Sequence, residues 1–139
     1  MIHDDLVLYV RVVADVFGLR DWEIIVSTEH CEEDTLADTE TTYGQRLARL
    51  RFNEKWQDWS PEDLRSTVVH ELIHVHTEPT SELLADVAAV VLDEKVASAM
   101  MSAVSYSLER AVDQIAVAIA PYFPLPQDCC ASKKCKHCK

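Results

Sequence analysis

The chain has 139 residues, of which 48% are hydrophobic and 27% charged, and a formal net charge of −11. That length suits one domain with a sizeable core, and the composition is that of a globular protein rather than a disordered one. The acidic balance argues against a general nucleic-acid binder, because phosphate affinity comes mainly from Lys and Arg. No apolar run approaches the roughly 20 residues of a membrane span, and the acidic start MIHDD is unlike a signal peptide. A cytoplasmic protein is expected, with its five cysteines as reduced thiols or metal ligands.

Residues 4–17 put Leu6, Val10, Val13 and Phe17 on one stripe, with Gly18 as a stop. This predicts a helix, although the many valines would also suit a strand. Trp22, Ile24 and Val26 then alternate with Glu23 and Ser27, the pattern of a short half-buried strand. Residues 29–40 carry Glu29, Glu32, Glu33, Asp34, Asp38 and Glu40 and read as a solvated acidic loop. Gly44 marks a turn or bulge before a second strand, in which Ala48, Leu50 and Phe52 alternate with Leu47, Arg49 and Arg51. That strand would turn its arginines to solvent or substrate.

The next helix has a clear start: Ser60 as N-cap, Pro61 at the first position and Asp63 three residues past the cap. It should run to about Thr77, because Pro79 disfavours helix at Glu78. From Thr80 to Ala120 there is neither Gly nor Pro, and apolar residues keep helical spacing. One rod of that length would be about 60 Å long, so two helices with a break within Ser102–Ser107 are expected. From Pro121 the chain is proline-punctuated and then polar. The expected organisation is an α+β domain over residues 1–126 and a Cys/Lys-rich tail over 127–139. Its layout is an N-terminal helix, a small twisted sheet, the helix after Ser60, and a long helix or helical hairpin.

The chemistry is concentrated in VVHELIHVHTEP, residues 68–79. On a helix His70 and His74 lie one turn apart on one face, where both imidazoles can reach one zinc ion about 2.0 to 2.1 Å away. Glu71 is offset by about 100° and can take a proton from a water held on that ion. His76 sits about 200° around the helix from His74, which removes it from the set. Glu78 would lie about 12 Å along the axis from His70, too far for one ion to bridge. A third ligand must come from elsewhere. Glu82 and Asp86 are open candidates, and Glu109 is preferred. Glu109 and Asp113 project together beside the stripe Leu108, Val112, Ile115 and Ile119, so one acid can bind zinc while the other accepts a hydrogen bond from a ligand histidine.

HELIH followed downstream by ERAVD resembles the HExxH zinc metallopeptidases of the zincin class, particularly the gluzincins. The likeness covers roughly residues 22–120, and the small size is similar to compact metallopeptidase-like proteins of bacteriophages. It implies a minimal zincin-like core, His70, His74 and Glu109 as zinc ligands, Glu71 as general base and Asp113 as the partner of a ligand histidine. It also implies a peptide or protein substrate received along a sheet edge, for which the strand ending at Phe52 is the expected one. Zincins commonly add a Tyr or His that stabilises the oxyanion; Tyr106 is the first choice here, with His30 and Tyr43 as alternatives.

The tail holds Cys129, Cys130, Cys135, His137 and Cys138, enough soft ligands for a second, structural zinc, although a disordered reduced tail is the simpler expectation and a disulfide or redox role a further alternative. The expected function is a zinc-dependent hydrolase acting on peptides. The alternatives are a catalytically silent interaction protein of the same fold and a regulatory zinc-binding module working through the tail.

Overall fold

A computed structural model describes residues 2–42 and 44–127. Tyr43 and the tail residues Cys129, Cys130, Cys135, His137 and Cys138 lie outside the described residues. The fold is α+β: α1 (His3–Val16), β1 (Glu23–Val26), β2 (Ala37–Thr42), β3 (Leu47–Phe52), α2 (Pro61–Val91) and α3 (Glu94–Ile119). No helix among the described residues is long and apolar enough to cross a membrane.

The sheet has the order β1-β3-β2, with β1 parallel and β2 antiparallel to β3. Its register puts Ile24, Val26, Ala37, Thr39, Thr41, Ala48, Leu50 and Phe52 on one face. That face joins Leu6, Tyr9, Val10 and Val13 of α1 and Leu64, Val68, Val69, Leu72 and Val75 of α2 in one core. On the opposite face Arg51 Nε donates to Asp38 Oδ1 at 2.8 Å, across a directly paired position. After α3 the chain straps back over α1: Phe123 stacks on Phe17 at 4.8 Å, and Tyr9 Oη donates to Pro124 O at 3.0 Å.

Four expectations are corrected. The acidic segment is not wholly loop, because its last part forms β2. There Asp38 and Glu40 stand opposite Arg51 and Arg49 in the register, and Asp38 forms an ion pair with Arg51, so the acids that suggested a solvated loop face arginines across two strands. β3 is consequently the central strand and offers no free edge.

The helix from Pro61 does not stop near Thr77; α2 continues through Pro79 to Val91. Proline removes one ladder bond at that turn, where Thr77 Oγ1 lies 3.4 and 3.3 Å from the carbonyls of Ile73 and His74, and packing of α2 along α3 holds the helix together. The break in the second helical region falls at Leu92 and Asp93, not within Ser102–Ser107. Leu92 is extended, and Asp93 caps α3 by accepting from the backbone N–H groups of Lys95 and Val96. The serines stay helical, with Ser102 Oγ donating to Ser98 O at 2.9 Å.

Candidate metal centre

α2 presents His70 and His74 at the rim of the core because Leu72 and Val75 beside them are fully buried, which fixes the rotation of the helix. The side chains of His70 and His74 are 18% and 14% exposed, against 52% for Glu109. Glu109 arrives from α3. Residues 92–93 lie near the midpoint between His74 and Glu109, so the chain travels roughly 25 Å outward from His74 along α2 and roughly 23 Å back along α3. The turn of the hairpin therefore sets the two residues level.

The three side chains converge. His70 Nε2 stands 3.1 Å from Glu109 Oε1, His74 Nε2 stands 3.3 Å from Glu109 Oε2, and the two Nε2 atoms are 3.0 Å apart. Tetrahedral ligands about 2.0 to 2.1 Å from zinc are themselves about 3.3 Å apart. Each Nε2 atom stands near that distance from one oxygen of the Glu109 carboxylate and from the other Nε2, and with one ligand atom taken from each residue all three lie within 4.8 Å of one another. Two imidazole nitrogens and a carboxylate form a donor set that zinc accepts, so the residues present fit the ion. The remaining nitrogen of His70, Nδ1, lies 3.2 Å from Asp113 Oδ1, which leaves Nε2 as the donor to a metal.

Glu71 is 4% exposed yet lines the same cavity. Thr39 Oγ1 donates to its Oε2 at 2.8 Å. Burial pushes the Glu71 carboxyl up to about 7, the Thr39 hydrogen bond pulls it down, and the charges of Asp38 and Glu109 add to the rise. Burial likewise lowers His74 below its ordinary value, and so does the neighbouring His70, while Glu109 and Asp113 work in the opposite direction. Glu78 is raised, first by burial and then by the charges of Glu82 and Glu109.

The cavity beside the cluster has a volume of about 350 Å³. Its polar end is His70, Glu71, Glu109 and Asp113; Leu36, Ala37, Ala116 and Val117 supply an apolar wall.

Of the residues singled out in the sequence, His70, Glu71, His74, Glu109 and Asp113 are brought together. Tyr106 is not: it is 66% exposed, lies with Ser107, Arg110, Ala111 and Gln114 around a separate depression, and has the Arg110 guanidinium 5.9 Å above its ring. His30 is held elsewhere, its Nδ1 being 3.0 Å from Phe52 O. His76 packs near Phe17 instead, ring centroids 6.0 Å apart. Among the described residues, the metal-competent group contains neither Glu82 nor Asp86. Thr39 is the residue that sequence reasoning missed. Its signal was the alternation of Ala37, Thr39 and Thr41 with Asp38, Glu40 and Thr42 inside an acidic stretch. No family model, curated protein or solved structure matches the chain.

Proposed function

We propose that this protein is a zinc-dependent hydrolase, most simply a peptidase, with His70, His74 and Glu109 as zinc ligands and Glu71 as general base. The observation that carries this is the convergence of His70 Nε2, His74 Nε2 and the Glu109 carboxylate, with Glu71 facing the same cavity. An ion held by His70, His74 and Glu109 would supply a water of lowered pKa and polarisation of a carbonyl. Glu71 then receives the proton of the attacking water and passes it to the leaving amine. Thr39 donates to Oε2 and so holds the carboxylate that receives the proton. Asp113 keeps His70 turned with Nε2 towards the cluster. Glu109 is half open to solvent, which gives the site an accessible side for substrate.

β2 is an edge strand that runs past Glu71 through Thr39, and it replaces β3 as the edge on which an extended peptide would add. A cytoplasmic setting, where free thiols such as Cys31 stay reduced, belongs to the same proposal. Metal analysis and a hydrolysis assay on a mixed peptide library test it together. Glu71→Gln should bind zinc like the wild type and lose at least about 100-fold in rate, the scale of a missing general base. A Glu71→Gln protein as active as the wild type would overturn the mechanism.

A further inference from the structure

The two histidines of the cluster differ in what stands behind them. When Nε2 is given to a metal, the ring proton sits on Nδ1, and that N–H needs an acceptor. His70 has one in Asp113, at 3.2 Å. His74 Nδ1 is shut off from solvent and has no hydrogen-bond partner. A buried donor left in that condition is costly. α3 does not supply the missing acceptor from the position before Glu109, because Leu108 is apolar and packs against the core.

The nearest carboxylate is on α2 itself. Glu78 Oε1 lies 3.8 Å from His74 Nδ1, one helical turn further along, on a side chain 33% exposed. That separation exceeds hydrogen-bond range by less than about 1 Å, a gap that rotation of a long side chain closes. The position depends on α2 remaining helical through Glu78 and Pro79, since a helix ending near Thr77 would carry the carboxylate elsewhere. We infer that Glu78 is the positioning residue of His74, accepting a hydrogen bond from its Nδ1 and fixing the imidazole for a metal at Nε2; this rests on the zinc-binding proposal above. The centre then has two matched pairs, Asp113 with His70 and Glu78 with His74, one acid from each helix of the hairpin.

The test uses the full chain with zinc alone as the probe. Competition with a chromophoric chelator gives the zinc affinity of the wild type, Glu78→Ala, Glu78→Gln and Glu82→Ala. Glu78→Ala should weaken zinc by about 10-fold or more, the scale of losing an outer partner of a ligand. Glu78→Gln should recover most of that loss, because its amide oxygen still accepts. Glu82→Ala removes a charge that acts on Glu78 but no acceptor paired with a ligand histidine, and should stay within about twofold. Nitrogen-15 NMR of the zinc-loaded protein should show a slowly exchanging Nδ1–H on His74 that disappears in Glu78→Ala. Wild-type affinity in Glu78→Ala, or equal weakening by Glu78→Ala and Glu82→Ala, overturns the inference and leaves the zinc site standing. A wild type that takes no zinc overturns both.

Discussion

The lower and upper halves of the α2/α3 hairpin are built from the same two helices but are held by different forces. Below Pro79, Val68, Val69, Leu72 and Val75 of α2 are fully buried, and Val112 and Ala116 of α3 join the same core. Above it, between Thr80 and Ser107, only Ala88 is buried, and Val90 is 88% exposed. The buried half holds more β-branched residues and the exposed half more alanine, so packing rather than helical propensity decides where the hairpin is rigid. The candidate centre sits at the boundary. Its histidines are anchored by the buried half, while Glu109 returns from the exposed one.

The comparison is broken most strongly by truncating the lower half. Leu72→Ala should cost about 3 to 4 kcal/mol in chemical denaturation, as for a fully buried leucine in a closely packed core. Next comes Glu71, whose carboxyl is pushed up to about 7 from an ordinary 4.5. A carboxyl raised by folding keeps its proton longer in the folded state, so the metal-free protein loses stability as pH rises from 4.5 to 7 and stays at the lower level above that. The difference is about 3 kcal/mol. With a chelator present, Glu71→Gln should therefore be more stable than the wild type by about that much at pH 8 and equal to it near pH 4. A constant difference across that range would show that Glu71 is not the titrating group.

Pro79 tests the junction. Pro79→Ala restores a ladder bond without changing the helix, and thermal melts should show a gain of about 1 to 2 kcal/mol. A loss would mean that the proline is needed to shape α2. The smallest effect belongs to the upper half: Val90→Ala should change stability by less than about 0.5 kcal/mol. A cost comparable with that of Leu72→Ala would erase the distinction between the halves.

What the sequence revealed was local. His70 and His74 share a face because four residues are about one turn, and Ser60, Pro61 and Asp63 announce the helix start within four positions. Glu109 and Asp113 stood out by the same spacing on their own helix. Non-local features were hidden. β2 is held by its pairing with β3, where Arg51 meets Asp38, so its own residues looked like a loop. Pro79 reads as a stop unless the packing of α3 against α2 is known. The break at Leu92 and Asp93 contains neither Gly nor Pro, and what marks it is the Asp93 side chain capping α3. Thr39 touches Glu71 only because the sheet register turns it to the core face.

The central claim is that residues from the two helices form one zinc site. Its most direct test is zinc stoichiometry and affinity of the wild type beside Glu109→Ala and Glu82→Ala. One zinc per wild-type chain is predicted, with affinity about 100-fold lower in Glu109→Ala, an order set by the effect of removing metal-site partners, and nearly unchanged in Glu82→Ala. A wild type without zinc, or equal affinity in all three proteins, would contradict it.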